Sequence, residues 1–198
     1  MPSPPPKLSS RMFQKSVHDC PYCSFELDRS DLTCSRCQSH LETLGPLPKD
    51  GAVLLESIMD LAGLLQGDAE KVKKMIARSE KKFPQLKLIF CSIVCPENFT
   101  PNTLGWWMLN QGTNPQLTWT GLLLVDPASS QITFQAGYDL EIFIDRRKLE
   151  TLLTECGQWF TLGEWSTGAE KFFQNLHLML KNAHQESREI EKQALKLL

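Results

Sequence analysis

The chain lacks both a membrane-length apolar run and an excess of positive charge. Its 198 residues carry 21 Lys and Arg against 23 Asp and Glu, a formal net charge of −2. No stretch approaches the ~20 apolar residues of a transmembrane helix, and the Pro-rich start has no apolar core of a secretory signal. Without a basic field the chain is poorly suited to nucleic acid. We therefore expect a cytoplasmic protein with no membrane span and no nucleic-acid partner.

The common catalytic and phosphate-binding motifs are also missing. The sequence contains no glycine-rich phosphate loop and no serine in the context of a nucleophile elbow. His177 and His184 are seven positions apart, which does not fit the i, i+4 spacing of a helical metal pair. The cysteines are left as the strongest chemical signal.

Four of the seven cysteines form two CxxC pairs, Cys20-Pro21-Tyr22-Cys23 and Cys34-Ser35-Arg36-Cys37, with ten residues between them. Each pair lets two thiolates point at one ion, and two pairs complete the tetrahedral shell that Zn²⁺ prefers. Because no position stays open for water or substrate, Cys20, Cys23, Cys34 and Cys37 predict a structural zinc site. Iron in a four-thiolate shell is the alternative.

The other three cysteines, Cys91, Cys95 and Cys156, lie in apolar surroundings. Buried thiols of this kind are typical of a reducing compartment. They agree with the expected cytoplasmic location.

Changes in composition divide the chain into five parts. These are a disordered Pro-rich leader (1–15), a zinc ribbon (16–44), a Pro- and Gly-containing linker (45–51), an α/β domain (52–185) and a C-terminal helical extension (186–198). The ribbon is too short to bury a core, so bound metal must order it, contributing on the order of 10 kcal/mol. Removal of zinc should unfold this part.

Periodicity after the linker predicts an α/β fold with a central mixed β-sheet flanked by helices. We expect an amphipathic helix that opens at Asp68 and ends before Pro84, and a central strand over residues 86–95. Residues 121–126 and 131–136 should form a hairpin whose second strand is half exposed.

Two further helices are expected near the C-terminus. Asp145 can cap the first, and Ser166 or Thr167 can cap the second. A helix that continued to Leu198 would be roughly 48 Å long, more than a domain of this size covers. Its last turns should therefore project, fray or pair with another chain.

Several short motifs in the α/β segment resemble the TPM domain, a family that includes a thylakoid-lumen acid phosphatase linked to photosystem repair. They are Asp60-Leu61-Ala62-Gly63-Leu64-Leu65, Thr120-Gly121-Leu122-Leu123-Leu124-Val125-Asp126, Ala136-Gly137-Tyr138-Asp139-Leu140-Glu141 and Ile144-Asp145. The pieces occur in the family's order over about residues 52–185. The resemblance implies a sheet flanked by helices, and an acidic pocket attributed to divalent-cation binding and weak phosphatase activity.

The acidic pocket carries over only in part. Asp60, Glu141 and Asp145 occupy matching positions, but Trp119 and Thr120 stand where the family has Asp and Asn. Since Ca²⁺ and Mg²⁺ need six or more oxygen ligands, the loss of two donors should weaken such a site severely. Asp139 replaces a glycine of the family, and could restore one charge or be a surface turn residue.

The sequence therefore favours a non-catalytic, zinc-containing interaction or adaptor protein with a degenerate TPM-like domain, which engages a protein partner or a second copy. The first alternative is a divalent-cation-dependent acid phosphatase that uses Asp60, Asp139, Glu141 and Asp145, with Mg²⁺ or Ca²⁺ as a doubtful cofactor. The second is a nucleic-acid-binding zinc ribbon, which the charge balance disfavours.

Overall fold

A computed structural model describes residues 18–19, 25–27, 33–38, 56–95, 99–109 and 115–195. Its strands are β1 (His18–Asp19), β2 (Glu26–Leu27), β3 (Ile58–Asp60), β4 (Lys87–Ser92), β5 (Thr120–Asp126) and β6 (Gln131–Ala136). Its helices are α1 (Ala69–Lys82), α2 (Pro101–Leu109), α3 (Tyr138–Glu141), α4 (Arg146–Thr161) and α5 (Trp165–Leu195), with a 3₁₀ helix at Pro115–Trp119. The leader and the linker lie outside the described residues.

The main sheet has four strands in the order β3-β4-β5-β6. β3, β4 and β5 are parallel, whereas β6 returns antiparallel to β5. The register sets Asp60 beside Ser92, and Ser92 beside Val125, so these residues share the edge at which the parallel strands end. Gly121 and Ala136 pair at the opposite edge. The predicted α/β fold with a mixed sheet is confirmed.

Helices cover both faces of the sheet. Alternate side chains of the strands divide between two buried clusters: Leu88 and Phe90 belong to one, and Ile89 and Cys91 to the other. We call the first face the long-helix face, because α1, α4 and α5 pack on it, and the second the α2 face. Both faces of β4 are buried, as its apolar sequence predicts.

Most of the expected elements are present, with one correction. Asp145 caps α4 as predicted, since its carboxylate accepts from the backbone N–H groups of Arg147 and Lys148 at 2.9 and 3.1 Å. The prediction that Ser166 or Thr167 caps the last helix is wrong, because α5 already begins at Trp165. Gly163, at a φ of +78°, ends α4 and turns the chain at once into α5.

α5 is one continuous helix of 31 residues, about 46 Å long at the standard rise. Its first half is built into the core through Phe172, Phe173 and Leu176. From Lys181 to Glu189 most side chains are exposed. In the part of the chain that the structure describes, no helix combines the length and apolar character needed to span a bilayer.

Candidate functional site

Asp60 ends β3, and its carboxylate organises the turn that follows. The backbone N–H groups of Leu64 and Leu65 donate to its two oxygens at 2.8 and 2.9 Å. The hydroxyl of Ser92, from the neighbouring strand, donates to the same carboxylate. Both oxygens are therefore engaged by the protein itself, in the manner of a turn-closing Asp.

The rest of this first motif is explained by the same turn. Gly63 has a φ of +69°, in the left-handed region that favours glycine. Ala62 donates its N–H to Ser92, and Leu65 is buried in the cluster of the long-helix face. The Asp-x-Ala-Gly-Leu-Leu pattern thus has a structural role in this chain.

A second carboxylate, Asp126, lies at the same edge of the sheet and is also engaged. It is 3% exposed, and it accepts from the N–H of Ala128 at 3.0 Å and from the hydroxyl of Ser129 at 2.7 Å. The thiol of Cys95 forms a further hydrogen bond with Asp126. Ligands of α/β proteins often bind where parallel strands end. Here the hydrogen bonds of Asp126 instead close the loop that follows β5.

Two thiols beside these carboxylates are held in the neutral form. Burial first, and then Cys95 and Asp60, raise the pKa of Cys91 to about 12. Burial first, and then Asp126, raise the pKa of Cys95 to about 12. Because the thiolate is the nucleophile, neither cysteine has the depressed pKa that marks a catalytic one.

The other predicted acidic residues lie elsewhere. Asp139 and Glu141 belong to α3, which follows β6 at the edge where Gly121 and Ala136 pair. Asp60 is at the opposite edge, about 20 Å away if measured along a six-residue strand. Asp145 caps α4. The alternative catalytic residues Asp60, Asp139, Glu141 and Asp145 are therefore not brought together into one site.

In the other two motifs, Gly121 and Gly137 stand where neighbouring atoms leave no space for a Cβ. A Cβ at Gly137 would lie 2.2 Å from the carbonyl oxygen of Leu117, and one at Gly121 would lie 2.6 Å from the ring of Phe134. Neither backbone position has room for a side chain. These motif positions, like Asp60, support the fold.

An apolar groove is lined by Trp119, the residue at which the resemblance expects a carboxylate. Trp119 stacks on Phe143 with ring centroids 5.6 Å apart and planes at 28°. The groove is lined by Phe83, Gln85, Leu86, Trp119, Leu140, Phe143, Leu180 and His184. Tyr138 and Ile142, which belong to the same short segment as Leu140 and Phe143, stay 61% and 74% exposed although both are large and apolar. Together we call these residues the Trp119 groove.

Positive charges lie near His177, a residue of α5 that neighbours the groove residue Phe83. The ring of Phe83 lies 6.0 Å from both His177 and His184. Burial, followed by the cations of Arg78, Lys181 and Lys82, lowers the pKa of His177. Arg78 and Lys82 come from α1 and Lys181 from α5, so three cations act on the histidine whose ring neighbours that of Phe83.

His177 itself connects these two helices inside the core. Its Nδ1 lies 3.1 Å from the hydroxyl of Ser79, which donates to the carbonyl oxygen of Met75 at 3.2 Å. The hydroxyl of Ser79 therefore lies between the imidazole of His177 on α5 and the backbone of α1. His177 is therefore a structural residue, as expected for a histidine on the apolar side of this helix.

The second CxxC pair forms a tight turn. The N–H of Gln38 donates to the carbonyl oxygen of Cys34 at 2.8 Å, and Gln38 has a φ of 58°. Cys34 is fully buried and Cys37 is exposed. The turn places two thiols three positions apart on one short loop, as a metal knuckle requires.

The first pair, Cys20 and Cys23, lies outside the described residues. The strands β1 and β2 that flank this pair form an antiparallel ladder, with His18 opposite Leu27. Within the described residues no three His, Cys, Asp or Glu side chains converge on a common point. The four-thiolate site, and zinc rather than iron in it, therefore stay predictions.

Comparisons with known proteins show the fold and nothing more specific. No protein-family model and no curated protein matches the chain. The N-terminal domain of cg2496 protein from Corynebacterium glutamicum is 14% identical with a TM-score of 0.51, covering 66% of this chain and 84% of that one. The N-terminal domain of a protein from P. gingivalis is 19% identical with a TM-score of 0.51, covering 65% of this chain and 84% of that one. At such identities the likeness is one of architecture.

Sequence reasoning missed the groove and the partners of Asp60. In the sequence, Trp119 indicated only that the carboxylate of the TPM family is absent at this position. Nothing in the sequence indicated that Phe143 would stack on it. A signal for Ser92 and Asp126 was present, because a polar residue that ends a buried strand often lies at the sheet edge.

Proposed function

We propose that this protein is a non-catalytic interaction protein, a zinc-ribbon module joined to a degenerate TPM-like domain that uses the Trp119 groove to hold a protein partner. The observation that carries the proposal is the Trp119–Phe143 stack. Trp119 stands at one of the two positions at which the TPM resemblance expects an oxygen ligand. An apolar groove lined by a segment that also carries exposed large side chains suits protein binding and does not suit a cation.

The charge around the groove favours one kind of partner. Arg78, Lys82 and Lys181 act on His177, whose ring lies 6.0 Å from that of the groove residue Phe83. We infer that the partner supplies an amphipathic segment, with aliphatic or aromatic side chains for the groove and carboxylates for these cations. A second copy of this chain is the competing occupant.

The acid phosphatase alternative has weaker support. Asp60 is separated from Asp139 and Glu141 by the length of the sheet, and its oxygens accept backbone hydrogen bonds. Hydrolysis of a generic phosphomonoester that required added Mg²⁺ or Ca²⁺, and that disappeared in a folded Asp139→Asn variant, would contradict the proposal. Salt-sensitive retention on DNA at physiological ionic strength would favour the ribbon as a nucleic-acid binder.

Two equally exposed side chains provide a matched test of the groove. Ile142 and Leu162 are both 74% exposed, but only Ile142 is adjacent in the sequence to a residue that lines the groove, Phe143. Peptides selected from a random display library against the full chain should combine apolar and acidic residues. Ile142→Asp should weaken their binding about tenfold or more, and Leu162→Asp should leave it unchanged.

The result that would refute the groove is equal binding by both variants. Selection of basic or purely apolar peptides would refute the inferred partner chemistry. A concentration-dependent dimer that Ile142→Asp dissociates would assign the groove to a second copy.

The zinc part of the proposal has a separate test. Protein purified without added metal should contain about one zinc per chain, and Cys37→Ser should lose it. Protein free of bound metal would refute a structural zinc site, and bound iron would change the identity of the metal. Cytoplasmic residence stays a prediction from the thiol chemistry.

A further inference from the structure

β6 forms one edge of the main sheet. Within the described residues its one strand neighbour is β5, to which it pairs antiparallel along all six of its residues. Helices cover both faces of β6, since the ring of Phe134 lies 5.4 Å from that of Phe172 on α5 and α2 packs on the other face. What the helices leave is the edge itself, where the backbone groups that do not face β5 lie.

Hydrogen bonds on the two sides of β5 show which backbone groups of β6 point outward. Gly137, just after β6, donates its N–H to the carbonyl oxygen of Thr120 at 2.7 Å. On the other side of β5, Ile93 donates to the carbonyl oxygen of Val125 at 3.0 Å. Because the direction of the backbone groups alternates along a strand, the odd-numbered residues of β6 face β5 and the even-numbered ones face away. The outward residues are Ile132, Phe134 and Ala136.

These outward groups are open and unprotected. Across the part of the chain that the structure describes, no residue forms a hydrogen bond with the outward N–H or C=O groups of Ile132, Phe134 or Ala136. Natural proteins protect such an edge with Lys, Pro or a β-bulge. β6 contains neither Lys nor Pro, and its register with β5 is continuous. The edge can therefore accept a further strand.

We propose that β6 pairs antiparallel with β6 of a second copy about a twofold axis at Phe134, which joins two four-stranded sheets into one continuous sheet. The outward groups fit this register. Phe134 pairs with its own counterpart, and Ile132 of each copy pairs with Ala136 of the other. Each of these pairs exchanges both of its N–H···O bonds, so every outward donor meets an outward acceptor.

The side chains of β6 favour a second copy over an unrelated strand. Pairing Ile132 with Ala136 sets a large side chain beside a small one, and Thr133 would lie opposite Gln135, so polar meets polar. Asn102 of α2 accepts from both Thr133 and Gln135 and adds an amide at the same place. β6 carries no charge, so a second copy brings no like-charge repulsion and a charged foreign strand finds no counter-charge. Pairing of identical edges also closes at the dimer.

The oligomeric state of the full chain tests the pairing. Sedimentation velocity over about a hundredfold range of concentration should show a monomer–dimer equilibrium. Thr133→Lys with Gln135→Lys, the two-lysine variant, sets like charges opposite each other and should weaken association about tenfold or more. Thr133→Lys with Gln135→Glu, the charge-pair variant, changes the same positions but sets opposite charges together, and should associate about as tightly as the unmodified chain. Circular dichroism establishes that both variants fold.

Amide hydrogen exchange, followed by NMR on the unmodified chain, provides a readout that needs no substitution. The outward N–H of Phe134 should exchange about tenfold or more slowly at concentrations where the dimer prevails than where the monomer does. The N–H of Thr133 faces β5 and should be protected at both concentrations.

Each other outcome overturns the inference. A chain that stays monomeric at every concentration, or rapid exchange of Phe134 in the dimer, would exclude pairing at this edge. Equal association of the two variants would exclude the register about Phe134. A dimer that Ile142→Asp dissociates and the two-lysine variant keeps would belong to the Trp119 groove. Library peptides that bind the unmodified chain and not the two-lysine variant would assign the edge to a foreign strand.

Discussion

Replacing Asp60 by alanine should lower the stability of the α/β domain, because its carboxylate closes a turn. The substitution removes the acceptor of the Leu64 and Leu65 N–H groups and of the Ser92 hydroxyl. A hydrogen bond to a charged group contributes about 1.5–3 kcal/mol. Since Asp60 is half-buried, part of this is recovered by water, and the free energy of unfolding should fall by about 3–5 kcal/mol.

Asp60→Asn should be milder. The amide keeps one oxygen that can accept from one of the two backbone groups, and it loses the charge. We expect a loss of about 1–2 kcal/mol. Asp139→Ala is the matched control from the same set of acidic residues, and it should change stability by less than about 1 kcal/mol.

The assay is urea and thermal unfolding of the full chain, followed by tryptophan fluorescence and circular dichroism. For a domain of this size Asp60→Ala should lower Tm by about 10–20 °C. Wild-type stability in Asp60→Ala would refute the structural interpretation. Wild-type stability together with loss of Mg²⁺ or Ca²⁺ binding would instead support a metal-ligating Asp60.

Two further predictions concern the packing of the α/β domain. Gly137→Ala should destabilise the domain by about 3 kcal/mol or more, because the new Cβ would lie 2.2 Å from a backbone oxygen. Gly157 lies in α4, and a Cβ there would have no atom within 4 Å. Gly157→Ala should therefore stabilise the domain by about 0.5–1 kcal/mol in the same unfolding assay. The pKa of His177 is lowered from 6.5 in the folded state, so on acidification the unfolded chain takes up this proton at a higher pH than the folded chain does. The contribution of His177 to the free energy of unfolding should therefore be fully present above pH 6.5 and decrease as the pH falls below it. His177→Gln should flatten that part of the stability profile measured by urea unfolding at a series of pH values, and an unchanged slope would contradict the assignment.

Some elements were predictable from the sequence because their periodicity is strong. The helical spacing of Val72 and Ile76 predicted α1, and the apolar run through Phe90 predicted the central strand β4. β3 was missed because three residues are too few to show a period of two. α2 was missed for a different reason: Leu104, Trp106 and Met108 are all buried, so the helix has no polar stripe that would reveal its period.

The acidic residues illustrate why a candidate site is harder to predict than a fold. The sequence identified Asp60, Asp139 and Glu141, but whether they meet depends on which edge of the sheet each one reaches. That depends on the parallel course of β3, which the sequence did not reveal. Because β3 runs parallel to β5, and β6 runs antiparallel to β5, an Asp at the end of β3 and a helix that follows β6 lie at opposite ends of the strands.

The motifs that suggested a TPM domain divide into two groups when their contacts are considered. Asp60, Gly121 and Gly137 are fixed in this chain by backbone hydrogen bonds or by the absence of space for a Cβ. Trp119 and Thr120 stand where the family has oxygen ligands, and the indole of Trp119 stacks on Phe143. A motif match at positions of the first kind therefore supports the fold, and only a match at positions of the second kind would support the chemistry. This chain has the first and lacks the second, which is the ground for proposing an interaction surface at the groove and not a metal-dependent active site.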